Sequence, residues 1–395
     1  MSTQPISRAA ILKFKRRWHA LNRRQVLIAI VIAALPLGGW WFWSWWRGWP
    51  ARAVLRSKTR SDPLAFSPDG RVVATGDDSG RITLWDAVDG RRRAVCVFPG
   101  LDGQGLGFYG AFSADGQTFA AVSCPRPRSL QTAKIVLIDV ASGRPRATID
   151  THHPWADACG LTADGRTLRL LLCAFDGQGN DLLTLADYDL ATAQKVSSRP
   201  LAITRVWRPA ISADGRLLAI PARNPTTGKT APPDAFVWDL DNGRQVACLP
   251  GRLPGAFVQA LAFTRDGKTL GVGRDDGTVE LWDIGTERIR KTFPAHAGGS
   301  VARSLRFSPD GSTVASVAFD LPSTLPAKLI LYGTSKLRGR EFAPMPELVV
   351  LDCATGKLLR RLNGEFAALY SPDGHTLATA DGYGKVMLRE VPVKP

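Results

Sequence analysis

Seven times along the chain an apolar or aromatic residue is followed by Ser or Thr, one further residue, and the pair Asp-Gly. The copies run from Phe66 to Gly70, Phe112 to Gly116, Leu161 to Gly165, Ile211 to Gly215, Phe263 to Gly267, Phe307 to Gly311 and Tyr370 to Gly374, and their glycines are separated by 46, 49, 50, 52, 44 and 63 residues. Repetition at that period means one supersecondary unit copied along the chain, each copy burying its apolar face only against its neighbours. The turn chemistry identifies the unit. In Ser67-Pro68-Asp69-Gly70, Pro sits where its fixed φ suits a turn, Asp hydrogen-bonds nearby backbone, and Gly supplies a positive φ. Each copy precedes an apolar run rich in β-branched residues, so the turn joins two strands.

A second anchor follows the first in the same order every time: Trp85-Asp86, Ile138-Asp139, Tyr188-Asp189, Trp238-Asp239, Trp282-Asp283, Leu351-Asp352 and Arg389-Glu390. Behind it lie further turn dipeptides, Asp89-Gly90, Ser142-Gly143, Asn242-Gly243 and Thr355-Gly356, each leading into a short strand. Each repeat therefore reads strand, turn, strand, loop, strand, turn, strand. The ends are out of phase by one strand. Ala51 to Ser57 precedes the first turn as one strand too many, while the last repeat stops after its third strand, Lys385 to Val391. The first strand is expected to complete the last repeat and remove the open edges.

The Trp-Asp pairs together with the Asp-Gly turns resemble the WD-repeat β-propeller family over about residues 51–395. The resemblance implies an all-β, seven-bladed propeller of four-stranded blades and a role in binding another protein. There are departures. Members of that family often carry a Gly-His pair whose His bonds a buried Asp and then the Trp. Here His296 is the one candidate in that position, and its own blade has Leu351 in place of Trp. Asp77, Asp78, Asp275 and Asp276 stand beside Trp85 and Trp282 without a His, so no blade is expected to assemble the full network.

The charge distribution accounts for the amino terminus. The chain carries 51 Lys and Arg against 35 Asp and Glu, yet residues 1–60 hold twelve basic side chains and no acidic one. The remainder is close to neutral, so nucleic acid is not an expected partner. Residues 25–46 are uncharged throughout, about 33 Å of helix at ~1.5 Å per residue, enough for a bilayer core. Trp40, Trp41, Trp43, Trp45, Trp46 and Trp49 follow as an interfacial belt. We read residues 1–24 as a basic tail, 25–46 as one transmembrane signal-anchor helix, 47–50 as a linker and 51–395 as the propeller. A cleavable signal peptide is the competing reading, for which the apolar run is long, and Arg23-Arg24 resembles part of a twin-arginine export signal, with Asn22 where Ser or Thr usually precedes the pair. Seven basic residues before the span against five after it favour a cytoplasmic amino terminus and an extracytoplasmic propeller.

Loop lengths give the functional expectation. The connections between second and third strands swell at Cys124 to Lys134, Phe175 to Asp181, Pro221 to Asp234 and Asp320 to Glu347, and propeller geometry puts all of them on one face. Insertions confined to one face mark a binding face. Arg126, Arg128, Arg223, Lys336, Arg338 and Arg340 are the residues singled out for a protein partner. No catalytic residue, metal site or cofactor is expected: His152 and His153 are adjacent and so point to opposite faces of a strand, and there is no nucleophile elbow, phosphate loop or zinc-helix motif. The alternative is an envelope hydrolase or lyase using the central channel. Of the six cysteines, Cys124 and Cys173 form the pair to test as a disulfide; the others read as small buried hydrophobes. Trp85, Trp155, Trp207, Trp238 and Trp282 read as blade packing.

Overall fold

The computed structural model describes residues 49–98, 107–125, 131–175, 181–201, 208–222, 233–251, 257–296, 300–320 and 346–391. The chain divides into Met1–Pro50 and Ala51–Pro395, and the second unit holds every described strand. Strand β1 is Ala53–Arg56. Blade 1 follows with β2 (Ser61–Phe66), β3 (Val72–Asp77), β4 (Arg81–Asp86) and β5 (Arg92–Val97), and blade 2 with β6 (Gly107–Phe112), β7 (Thr118–Cys124), β8 (Lys134–Asp139) and β9 (Pro145–Asp150). Blade 3 comprises β10 (Trp155–Leu161), β11 (Thr167–Phe175), β12 (Asp181–Asp189) and β13 (Lys195–Leu201); blade 4 comprises β14 (Ala210–Ile211), β15 (Leu217–Pro221), β16 (Ala235–Asp239) and β17 (Arg244–Leu249). Blade 5 is β18 (Val258–Phe263), β19 (Thr269–Arg274), β20 (Thr278–Asp283) and β21 (Arg288–Pro294), and blade 6 is β22 (Ser300–Phe307), β23 (Thr313–Asp320), β24 (Pro346–Asp352) and β25 (Leu358–Asn363). Blade 7 has β26 (Ala367–Tyr370), β27 (Thr376–Ala380) and β28 (Lys385–Glu390), with β1 as its outermost strand.

The seven sheets are antiparallel meanders of four strands, and the first strand of each blade lies beside the first strand of the next, β26 returning to β2. This is the seven-bladed ring expected from the repeats. Its closure is the expected one: Ala53, Val54, Leu55 and Arg56 pair with Leu388, Met387, Val386 and Lys385.

Middle strands are covered on both faces by neighbouring blades, and their sequences are correspondingly apolar without alternation. Every residue of β3, β19 and β27 is buried, whereas β5, β21 and β25 on the rim are largely exposed. The core therefore lies between blades. Ile82, Leu84 and Phe98 of blade 1 meet Phe112, Phe119 and Ile138 of blade 2, while Val73 and Trp85 meet Leu55, Ala378 and Leu388 across the closure.

The first anchor folds as the sequence implies. Ser67 Oγ donates to Asp69 Oδ1 (2.5 Å), which also accepts from the Arg71 amide (3.0 Å), and Gly70 takes φ +70°. The acid of the second anchor has a role the sequence reading left open. Asp86 Oδ1 accepts from the Val88 and Asp89 amides at 2.8 and 3.3 Å, capping the turn into the outer strand. Asp139, Asp189, Asp239, Asp283 and Asp352 repeat this.

Among the described residues no helix is long and apolar enough to cross a membrane, and residues 25–46 lie outside them. The six cysteines are free thiols. Cys124 and Cys173 are not bridged: Cys173 Sγ donates to Asp157 Oδ2 (2.7 Å) and Cys124 Sγ to the Ala156 carbonyl (3.3 Å). Each thiol is satisfied by a separate oxygen of blade 3, so the shared strand position did not translate into a pairing.

Candidate functional site at the channel mouth

Connections from second to third strand and from one blade to the next leave at the same end of the ring. At that end blades 1, 5 and 7 turn back over residues 78–80, 275–277 and 381–384, while blades 2, 3, 4 and 6 span 125–133, 176–180, 222–234 and 321–345. These bounds are tighter than the sequence suggested. Cys124, Lys134, Pro221 and Glu347 belong to strands. Glu347 accepts from Arg361 Nη1 (2.9 Å) and bonds His296 Nδ1 (2.8 Å), and Asp234 is ion-paired to Arg274, so neither acid is loop charge. The six singled-out basic residues, Arg126, Arg128, Arg223, Lys336, Arg338 and Arg340, lie outside the described residues.

What the structure does bring together at this end is a cavity of about 390 Å³ lined by Arg60, Arg208, Arg303, Ser304, Phe319 and Phe366. The residues come from four blades. Arg60 directly precedes β2, Arg208 stands just before β14, Phe366 directly precedes β26, and Phe319 lies at the end of β23. Arg303 occupies a β-bulge: the β22–β23 register shifts between Ala302 and Ser304, which leaves residue 303 unpaired with the neighbouring strand. Bulges re-aim side chains in this way at strand edges and sites. The same innermost-strand shift recurs at Leu64, Asp157 and Gln259.

Two aromatic rings form one wall, with Phe319 and Phe366 centroids 5.5 Å apart and planes inclined by 56°. Each ring carries a guanidinium. Arg60 Cζ lies 5.2 Å from the Phe366 centroid and Arg303 Cζ 5.6 Å from that of Phe319, both within cation–π range. Arg208 Nη1 donates to the Arg303 carbonyl (2.8 Å). Arg60 Nη2 is 3.6 Å from Asp62 Oδ2. Desolvation by the surrounding protein pulls both Arg208, which is solvent-exposed, and Arg303, which is half-buried, below the ordinary arginine range, and for Arg208 the Arg303 charge adds to the shift. Arg303 Nε is buried without an acceptor. The six described lining residues contain three cations and no carboxylate.

The Tyr109 hydroxyl, on a side chain still 37% exposed, is held up by desolvation, with Cys124, Asp157 and Cys159 adding to the shift and Arg306 opposing it. Burial also raises Cys124, and raises Cys159 to about 12, so both remain protonated thiols rather than nucleophilic thiolates. For the alternative of channel chemistry, the described lining residues include neither a histidine nor a carboxylate that could act as acid or base. Among the described residues no three His, Cys, Asp or Glu are arranged to hold a metal.

The family model for the WD domain, G-beta repeat, matches residues 64–86, 243–283 and 287–320. WD40 repeats are detected in these three segments. The matched segments cover the second half of β2 through β4, then β17 to β20, then β21 to β23. In the last two the sequence repeat starts on the outer strand of one blade and continues into the next, the same offset that makes β1 complete blade 7. Comparison with curated proteins gives no match.

The buried polar networks are variants that sequence reading did not find. In blade 6, His296 Nε2 bonds Ser316 Oγ (2.8 Å) and Nδ1 bonds Glu347, so the Gly-His-type position does work as a hub, with Glu347 near the start of β24 as its acid and Leu351 at the tryptophan position. In blade 5 Arg274, fully buried, pairs with Asp234 and with Glu280 (2.8 Å), and Trp282 Nε1 donates to the same Glu280 oxygen (2.9 Å). In blade 7 Arg389 takes the Trp position and pairs with Glu365 (2.8 Å). Trp85 Nε1 donates to Thr75 Oγ1 (2.9 Å). The pairs that would have signalled these networks lie up to 51 residues apart in sequence.

Proposed function

We propose that this chain is a membrane-tethered scaffold that holds another protein on the long-connection end of a WD40-type propeller. The observation that carries the reading is the asymmetry of the ring: its opposite end is closed by seven near-identical Asp-capped turns, while the other gathers the insertions and the cationic mouth. A rigid closed ring suits this task because the binding end costs little ordering free energy when a partner arrives. The uncharged run at residues 25–46 supports a tether, and the excess of basic residues before it supports a cytoplasmic amino terminus with the ring on the extracytoplasmic side.

Replacing residues 321–345 with a short Gly-Ser linker tests the binding end. The expected outcome is loss of a co-purifying protein from membranes while the thermal unfolding of the ring is unchanged. Retention of every partner would refute the assignment of that end. Tethering is tested by alkaline extraction: the full chain is expected in the membrane pellet, and a chain starting at residue 51 in the supernatant.

A further inference from the structure

We propose that the outer edge of blades 7 and 1 rests on an anionic lipid surface, so that the ring stands on its rim against the bilayer. This rests on the tether in the reading above and gives the ring a second, lipid contact.

The sign of the rim charge is the first argument. The seven outer strands carry twelve basic side chains and one acid, Asp150, although the chain beyond residue 60 is close to neutral. Outer strands are open edges, and edge protection needs charge of either sign. A uniform sign goes further and attracts an anionic surface. The balancing acids sit elsewhere: Asp69, Asp115, Asp164 and Asp266 are exposed in the turns of the Asp-capped end, where hydroxyl and amide donors keep them ionised. An anionic surface is repelled by that end and drawn to the rim.

The second argument is where the chain enters the ring. Ala53 pairs with Leu388 and Arg56 with Lys385, so β1 starts at the Asp-capped end on the outside of blade 7. The blade 1 turn abuts that start: Arg52 Nη2 donates to the Ala87 carbonyl (2.8 Å), and a Cβ on Gly90 would stand 3.1 Å from that of Ala53. At this corner exposed cations and exposed aliphatic side chains stand together, Arg52, Arg56, Arg91 and Arg92 with Val54 and Val88. Asp89 takes part of the Arg91 charge (3.3 Å) and Asp86 pairs with Arg93 (2.6 Å), which leaves cations in excess. Guanidiniums suit lipid phosphates, and the valines suit the boundary between headgroups and acyl chains. Reach is the third. No more than about 25 Å of extended chain separates residue 46, where the uncharged run ends, from Ala53, so a bilayer holding that run lies within range of this edge.

The test reconstitutes the full chain into vesicles of phosphatidylcholine with and without one third phosphatidylglycerol. The photo-crosslinker p-benzoylphenylalanine stands in place of Val88 or, as a control on blade 3, of Val196, positions 65% and 64% exposed. With phosphatidylglycerol present, lipid adducts at Val88 are expected at about fivefold or more the yield at Val196, the factor that one cation contributes near an anionic surface. That excess is expected to vanish in pure phosphatidylcholine and to shrink as salt rises. Arg56→Gln, Arg91→Gln and Arg92→Gln together are expected to bring Val88 down to the Val196 yield with the thermal midpoint unchanged. Equal yields at the two positions, or an excess that persists in pure phosphatidylcholine, overturns the proposal. So does duplex DNA that binds the detergent-solubilised full chain and loses its affinity in the triple variant, which assigns the edge to nucleic acid. If the chain floats with the vesicles while Val88 crosslinks no better than Val196, the tether stands and this inference alone falls; a chain that does not float with them removes both. The 321–345 replacement reads the protein-binding end separately.

Discussion

Single hydroxyl-carboxylate contacts repeated around the ring set its response to acid. Asp69, Asp115, Asp164 and Asp266 are held below the usual carboxylate range first by the hydroxyls of Ser67, Ser113, Thr162 and Thr264 and then by the amide two residues on. A carboxyl whose folded pKa is depressed contributes stability that is fully present above its unfolded value, about 4, and is lost as pH falls through the folded value. The urea midpoint is therefore expected to hold from about pH 7 to 5 and to drop below about pH 4. Removing the hydroxyls, with Ser67→Ala, Ser113→Ala, Thr162→Val and Thr264→Val together, should flatten that drop. Glu365 works in the opposite sense: burial raises it although Arg389 opposes, so its contribution grows slightly as pH falls. In blade 5, burial alone would lower Arg274, and the Asp234 and Glu280 carboxylates more than reverse this. Arg274→Leu leaves both acids buried without their partner. Chemical denaturation should show a loss of about 3–5 kcal/mol, whereas a surface change such as Arg91→Gln should stay within about 0.5 kcal/mol.

At the scale of strands and turns, the irregularities decide more than the regular ladders. In blades 1 to 6 the pairing of third to fourth strand slips at the anchor residue, Trp85, Ile138, Tyr188, Trp238, Trp282 and Leu351 in turn. In blades 1 and 5 the residue left over is an arginine that reaches back to the anchor acid, Arg93 to Asp86 and Arg290 to Asp283, both at 2.6 Å. The closing pair β1–β28 has no such slip. It depends instead on Gly384, which takes φ +92° where an added Cβ would stand 2.8 Å from the Ser57 and Thr59 carbonyls. Gly384→Ala should cost about 1–3 kcal/mol, read as a lower thermal midpoint with blade 7 amides exchanging first. Removing residues 51–58 uncovers β28 as a free edge; the expected result in light scattering is a concentration-dependent aggregate in place of a monomer. The seven turns, the strand phase and this closure were legible because each is written locally, in Asp-Gly pairs and apolar runs. The bulges were not, since a residue such as Arg303 is displaced by pairing with a strand whose sequence carries no mark of it.

For the whole molecule, topology was legible and the cationic mouth was not, for one physical reason. A ring brings residues 60, 208, 303 and 366 to one mouth, and no local pattern links positions that far apart. Sequence reading looked for charge inside the insertions and chose Arg126, Arg128, Arg223, Lys336, Arg338 and Arg340, which lie outside the described residues; the described cationic cluster sits on strands and at their ends. Sidedness is a property of the whole chain, and protease digestion of sealed cells carrying a carboxyl-terminal tag measures it. Cleavage without lysis is the outcome expected from the basic bias before residue 25; protection until lysis would reverse the proposed orientation. The closure also has a mechanical meaning. Because the strand nearest the amino terminus is the one that locks the ring, any pull on that terminus enters the propeller through four paired residues and the Arg52 guanidinium held by the Ala87 carbonyl (2.8 Å). Tension would load this short ladder before any other blade, so its rupture force caps the load the ring can bear, and the lock doubles as the molecule's weakest link under strain.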